Sequence, residues 1–337
     1  MKQFIHEQPF TLESGKILNG ISIAYHTYGQ INDDQSNVIW ICHHLTANSD
    51  ASLWWQNVVG QGAIFDPNKY FIVCANILGS CYGSTGPMSI NPDTGKPYYL
   101  SFPQVTIRDM VNAHILLRRH LGVNKINLMI GGSMGGYQAL EWAIMEDDLI
   151  DNLVLLSTSA TESAWGIAVH TAQRMAIEAD CTWKEDTDDA GKNGLKAARA
   201  MGLISYRNHG ILVKKQSDPD KEKTDGYKAS AYIEYQGEKL VSRFNTHSYW
   251  MLTKAMDSHH IARGRKGTTA EILSGVNQRT LVFGIHSDIL CPLAEQEFLS
   301  KHIPDSRLIA IDSAYGHDGF MVEAELISKY LRDWWEI

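Results

Sequence analysis

Six short runs of continuous apolar sequence, each bounded by turn residues, set the frame into which this chain must fold. They are NVIWICHH in the 38–45 region, YFIVCANIL (70–78), INLMIGG (126–132), NLVLLST (152–158), TLVFGIH (280–286) and RLIAIDS (307–313). A strand with one face in water alternates apolar and polar residues, whereas a strand covered on both faces is apolar throughout. These runs are of the second kind. Helical spacing fills several of the intervals, in TIRDMVNAHILLRRHLG (106–122), which closes on a glycine stop, in YQALEWAIM (137–145) and in ELISKYLRDWW (325–335). Strand and helix in alternation predict an α/β chain with a mostly parallel sheet, helices on both faces, and a binding site at the carboxyl ends of the strands.

The alternation lapses between about Ser163 and Gly267, where no buried-strand run occurs. In its place stand helical patterns, AVHTAQRMAIEAD, GLKAARAMGLISY and RFNTHSYWMLTKAMD, separated by the charged, turn-rich stretches KEDTDDAGKNG (184–194) and KKQSDPDKEKTDG (214–226). A helical cap over 163–267, inserted into a core made of 1–162 and 268–337, is the organisation expected. With 337 residues the chain has room for both.

Composition removes several function classes. Thirty Lys and Arg against 38 Asp and Glu leave a net charge of −8, which offers no global attraction for nucleic acid or for an anionic membrane. No apolar run reaches the roughly 18 residues of a spanning helix, and the start MKQFIHEQPFTLESG lacks the apolar stretch of a signal peptide, so the cytoplasm is the expected compartment. The five cysteines (Cys42, Cys74, Cys81, Cys181, Cys291) form no CxxC pair, as expected for reduced packing residues. His43-His44 and His259-His260 are adjacent pairs, not the i, i+4 pairs that put two ligands on one helical face; no metal is expected.

Chemistry concentrates at GGSMGG (131–136), where Gly131-x-Ser133-x-Gly135 stands between the run INLMI and the helix YQALEWAI. A serine on so tight a strand-to-helix turn occupies a strained backbone conformation. The flanking glycines let the two backbones approach while the hydroxyl projects into a cleft. Such a nucleophile needs a base and an orienting acid, in chain order Ser, Asp or Glu, His. Asp288, after TLVFGIH, and His317, after RLIAIDS, fill that order at the expected strand ends; His286, Asp305 and Asp312 lie earlier in a strand, inside one or at the opposite end. Acyl transfer further requires two N–H donors for the oxyanion, expected from Met134, the residue after the serine, and from the loop HHLTANSD at or near Leu45.

Taken together, HHLTANSD (43–50), NILGSCYGSTGPMSINPDTGKPY (76–98), FPQVTIRDMV (102–111), GGSMGGYQALEWA (131–143), ARAMGLISYR (198–207), YIEYQGEKLVSRF (232–244) and GHDGF (316–320) make the chain resemble the homoserine O-acetyltransferases, a family of α/β-hydrolase-fold acyltransferases. The resemblance runs from about Phe10 to the C-terminus. It implies Ser133 as nucleophile with Asp288 and His317, Leu45 and Met134 as oxyanion donors, and Arg199, Tyr206 and Asp318 holding the carboxylate and ammonium groups of an amino-acid acceptor. It also implies acetyl-CoA and L-homoserine as substrates, no resident cofactor, and a homodimer formed through the caps. Succinyl-CoA as donor or serine as acceptor would use the same triad. Where the family commonly reads Leu-Thr-Gly-Asp, this chain has Leu45-Thr46-Ala47-Asn48, a departure that bears on acyl-donor specificity.

Overall fold

In the computed structural model, which describes residues 1–335, eight strands form one sheet: β1 (Lys2–His6), β2 (Ile21–Tyr28), β3 (Val38–Cys42), β4 (Phe71–Ala75), β5 (Ile126–Gly132), β6 (Ile150–Leu156), β7 (Arg279–Ile285) and β8 (Ser306–Ile311). Their spatial order is β1-β2-β4-β3-β5-β6-β7-β8. From β4 to β8 every pairing is parallel, and β2 runs antiparallel to both of its neighbours.

Because side chains alternate across a sheet, a strand covered on both sides feeds two cores. That is why five of the six runs are apolar almost throughout; the sixth, β8, is the far edge strand and buries only Ile309 and Ile311. Val38, Trp40 and Cys42 of β3 enter one apolar cluster and Ile39 and Ile41 the other; Leu153 and Leu155 of β6 part from Val154 and Leu156 in the same way. Helices α1 (Ile107–His120) and α2 (Met134–Met145) cover the first face through Met110, Val111, Tyr137 and Leu140. The C-terminal α9 (Ala324–Trp335) closes the second with Ile327, Leu331 and Trp334, at the i, i+4, i+7 spacing of one helical stripe. A capping box begins α1: Thr106 Oγ1 accepts from the Asp109 N–H, and the Asp109 carboxylate accepts from the Thr106 N–H at 2.9 Å.

Between β6 and β7 the chain leaves the sheet for five helices over 164–257, α3 (Ala164–Glu178), α4 (Lys192–Tyr206), α5 (His209–Gln216), α6 (Lys228–Val241) and α7 (Thr246–Asp257), and then a single short turn of helix at Thr269–Leu273. Asp257 of α7 ties two of them together, bonding His170 Nδ1 at 2.8 Å and Arg174 Nη2 at 2.6 Å, both on α3. After β7 comes α8 (Leu293–His302), whose Leu299 joins the first core.

The sequence patterns locate six strands to within about three residues, but they miss β1, β2, α5, α6 and α8. The first two stand at the open edge of the sheet, where β1 is largely exposed and carries no buried run. Helix α5 buries none of its residues and α6 only Gly237 and Leu240. An unburied helix has no apolar stripe to read.

Candidate active site

Ser133 sits between β5 and α2 at φ +53° and ψ −126°, a left-handed conformation strained for any residue with a side chain. The turn is fastened on both sides: the Ser133 N–H donates to Leu156 O at 2.9 Å, while its carbonyl accepts from Gly136 N at 2.8 Å and Thr158 Oγ1 at 2.9 Å. Close approach explains the glycines. A Cβ on Gly131 would run into the carbonyl of Gly135, and one on Gly135 into the carbonyl of Cys42 at the end of β3.

Asp288 and His317 follow β7 and β8, and the adjacent parallel strand ends bring them into contact: His317 Nδ1 lies 2.8 Å from Asp288 Oδ2. The other carboxylate oxygen accepts from the N–H groups of Leu290 (2.8 Å) and Cys291 (3.0 Å), so the acid is fixed by its own loop. Both residues are buried. Burial alone would lower the His317 pKa, but the Asp288 carboxylate, through charge and hydrogen bond, outweighs it and raises the pKa above its usual value, with Asp318 and Glu162 adding to the effect. The neighbouring histidines go the other way. Desolvation takes His43 down to about 4 and His44 to about 3, the latter helped by the charges of His43, His317 and Arg243, so His317 is the basic imidazole of this region. His43 Nδ1 is hydrogen-bonded to His44 O and His259 Nε2 to Ser159 O, giving these histidines structural partners.

Ser133 and His317 line one cavity, with about 730 Å³ of space that is partly open to solvent. Leu45, Met256, Leu290, Phe320 and Met321 supply apolar wall; Arg199, Arg243 and Asp318 supply charge. Leu45 follows β3 and Met134 is the first residue of α2, and no hydrogen bond among the described residues uses the backbone N–H of either. Two unspent donors thus lie beside the serine, one of them at a helix N-terminus. His286, Asp305 and Asp312 do not line this cavity. His286 and Asp312 face each other at 3.9 Å, both largely exposed, and the Asp305 carbonyl accepts from Thr280 N at the opposite end of β7.

Helix α4 brings Arg199 and Tyr206 to the cavity on one side, the guanidinium 5.6 Å from the Tyr206 ring centre and the Tyr206 ring 6.0 Å from that of His317. Among the described residues no carboxylate pairs with Arg199. Asp318 is buried, which raises its pKa, while Arg207, His317 and Arg199 oppose the rise; Arg207 Nε holds Asp318 Oδ2 at 2.9 Å. The Ala47-Asn48 departure leaves the loop unstrained. Ala47 has no left-handed backbone angle, and Asn48 Oδ1 accepts from the Asp50 N–H at 2.8 Å, a bond an aspartate would make equally well.

The pattern of the alpha/beta hydrolase fold matches residues 37–324. A homoserine O-acetyltransferase of Cyclobacterium marinum is 46% identical over 332 residues, spanning 98% of this chain and 94% of its own. The chain belongs to the homoserine O-acetyltransferase family. It is an acyltransferase with the α/β-hydrolase fold. Among solved structures of similar fold, a homoserine O-acetyltransferase from Bacillus anthracis superposes with a TM-score of 0.92 at 25% identity, covering 100% of this chain and 97% of its own. An acetylester hydrolase from Corynebacterium glutamicum does so at 0.88 and 22%, covering 100% and 96%.

Two residues that face the site are absent from the sequence-based set, Arg207 on Asp318 and Arg243 on the loop of Leu45. Arg207 lies just after α4, beyond its helical pattern; Arg243 opens the pattern RFNTHSYWMLTKAMD but falls in the link before that helix begins at Thr246. Only the segments that carry the family resemblance contain a signal for them.

Proposed function

We propose that the chain transfers an acetyl group from acetyl-CoA to the side-chain hydroxyl of L-homoserine, with Ser133 as the acyl carrier. The observation that carries this reading is the composition of one cavity. A strained serine and a histidine paired to a buried aspartate share it with an unpaired Arg199 and with Asp318, the cation and anion that complement a zwitterionic amino acid. With Nδ1 committed to Asp288, His317 takes the Ser133 proton at Nε2 as Oγ attacks the thioester carbonyl. The oxyanion accepts from the Leu45 and Met134 N–H groups. Collapse expels coenzyme A, which leaves with the proton, and an acetyl-serine remains.

Homoserine then enters, its carboxylate on Arg199 beside Tyr206 and its ammonium on Asp318. Positioning at the base gives its hydroxyl an effective concentration that water lacks. His317 removes the hydroxyl proton, the oxygen attacks the acetyl carbonyl, and Ser133 leaves as it recovers a proton from His317. No step needs a metal or a resident cofactor. The helical segment from 163 to 267 acts as the cap. Exposed apolar side chains on it, Met201, Ile204, Val213 and Tyr235, support a homodimer formed through this surface. No helix among the described residues is long and apolar enough to cross a membrane, and the charge balance supports a cytoplasmic enzyme without nucleic-acid partners.

A matrix of acetyl-CoA and succinyl-CoA against homoserine, serine and water tests the assignment. Acetyl-CoA with homoserine should give the highest kcat/KM by at least about tenfold. Equal rates with succinyl-CoA, with serine or with water would replace it by the succinyltransferase, the serine acyltransferase or the esterase respectively.

A further inference from the structure

The loop that carries Leu45 is held from two directions. From the core, Gln138 Nε2 donates to His43 O at 3.1 Å, the His43 ring bonds His44 O at 2.9 Å, and Trp54 Nε1 donates to Asn48 O at 2.9 Å. From the helical segment comes Arg243, in the link between α6 and α7. Its Nη1 donates to the Thr46 carbonyl oxygen at 2.6 Å and to the Tyr82 hydroxyl at 3.0 Å, while Nη2 reaches Thr46 Oγ1 at 3.3 Å. Thr46 is buried and comes directly after Leu45. Among the described residues no other donor reaches the Thr46 carbonyl, and no other side chain from 164–257 bonds the loop 43–50. The guanidinium also lines the cavity that contains Ser133 and His317.

We infer that Arg243 is a positioning residue for the first half-reaction: it holds the Thr46 peptide so that the Leu45 N–H points at the oxyanion, and it makes that donor depend on the helical segment being docked. Two physical facts support the assignment. A charge-assisted bond is short and strong, and a buried carbonyl left without a donor drives the loop to reorganise towards water. An oxyanion donor works only within a narrow distance of the oxygen it stabilises, so a loop that relaxes by even an ångström loses that donor. The inference rests on Ser133 being the acyl carrier. It gives Arg243 a role that Arg199, also in this cavity, does not share, since Arg199 bonds no loop atom.

Three roles are separable by the choice of acyl donor. p-Nitrophenyl acetate has neither phosphates nor an amino-acid group, yet it acylates a serine through the same oxyanion. For Arg243→Met, the p-nitrophenolate burst and the CoA burst from acetyl-CoA should both slow by roughly 10- to 100-fold, somewhat less than removal of a whole oxyanion donor. Half-saturation of the CoA burst should move by less than about threefold. Millimolar guanidinium added to Arg243→Ala should recover part of both bursts. Arg243→Lys, which keeps a charged donor near Thr46, should lie between wild type and Arg243→Met and serves as the test should the methionine variant not fold. A wild-type p-nitrophenolate burst in Arg243→Met, or in Arg243→Lys if that variant is the one that folds, overturns the inference. A fall confined to acetyl-CoA would then make Arg243 a ligand of the donor's phosphates, and a fall confined to homoserine transfer a ligand of the acceptor. Failure of the acyl-serine reading itself looks different: bursts that survive Ser133→Ala show that Ser133 carries no acyl group, whatever Arg243 does.

Discussion

Replacing Asp288 by asparagine exchanges one oxygen for an NH₂ group and leaves volume and shape unchanged, so the effect on catalysis is set by hydrogen bonding alone. In the native site Oδ1 accepts from two N–H groups, Leu290 at 2.8 Å and Cys291 at 3.0 Å, and Oδ2 receives the His317 Nδ1–H at 2.8 Å. All of these acceptor positions are used by donors. An asparagine can therefore satisfy one side only. If its oxygen stays on the loop, its NH₂ faces Nδ1 and converts that nitrogen into an acceptor. The ring proton then resides on Nε2, the nitrogen that must receive the Ser133 proton. If the amide flips, the NH₂ confronts two buried N–H groups, at a cost of about 1–3 kcal/mol for each one left unpaired. The first arrangement is favoured, and it places the base in the wrong tautomer.

The expected loss is up to roughly 10⁴-fold in kcat, about 5.4 kcal/mol at 1.36 kcal/mol per decade. Both half-reactions use His317, so CoA release in a single turnover without acceptor and transfer to homoserine should fall together. The pH profile supplies a second readout. The base works when neutral, so kcat/KM for acetyl-CoA in the wild-type enzyme rises with pH through a pKa above the ordinary histidine value of about 6.5, in the direction set by Asp288 against burial. Without the Asp288 charge and its hydrogen bond, the largest opposition to burial is gone and Asp318 and Glu162 remain, so the residual activity should rise at lower pH than in wild type. An Asp288→Asn enzyme that keeps more than about a tenth of wild-type CoA release, with its pH limb unmoved, would refute this tautomer argument and the role of Asp288 as orienting acid.

Ser133→Ala should abolish both the CoA burst and the acetylated Ser133 peptide that mass spectrometry detects in wild-type enzyme mixed with acetyl-CoA alone; a burst of wild-type size in the variant refutes the acyl-serine step. Arg199→Ala should lower kcat/KM for homoserine by about 2–4 kcal/mol while leaving the CoA burst within about threefold of wild type, because Arg199 meets only the acceptor's carboxylate; equal losses in both would assign it to the donor site or to packing. Ile204→Asp, at an exposed apolar position of α4, should convert a dimer to a monomer in sedimentation analysis without loss of the folded state, and an unchanged sedimentation coefficient would move the interface elsewhere.

The legible parts of this molecule are those in which burial writes a pattern. Five of the six apolar runs could be read because both faces of β3 to β7 are covered, while the edge strand β8 buries only Ile309 and Ile311; Ser133 could be read because a turn this tight admits little but glycine around it. Asp288 and His317 were legible through chain order: each comes after a strand, at the end where Ser133 lies. What escaped has no local signature. The edge strand β1 and helix α5 bury too little to show a period, and Arg207 and Arg243 act across distances of 111 and 197 residues in sequence, on Asp318 and Thr46 respectively. An arginine in an inter-helical link reads as solvated until the fold places a carbonyl or a carboxylate in front of it.

The division of labour between the two parts of the chain accounts for how one catalytic apparatus can serve a transferase. Ser133, Asp288, His317 and the two proposed oxyanion donors all come from segments just after strands of the sheet, and in the roles proposed for them they would handle the carbonyl in the same way whatever nucleophile arrives. Nothing in that set distinguishes homoserine from water. The distinction must come from groups that hold the acceptor, and Arg199 and Tyr206 both belong to α4, in the helical segment. Asp318 is the exception, adjacent to His317 in the core, yet Arg207 at the end of α4 holds one of its oxygens at 2.9 Å and so brings it under the same control. The proposed acceptor site is thus assembled only where the helical segment meets the core. The role proposed for Arg243 extends the same logic to the oxyanion loop: on that proposal acyl-enzyme formation and acceptor capture both depend on the docked helical segment, and the acetyl-serine forms in a cavity already shaped to receive an amino acid.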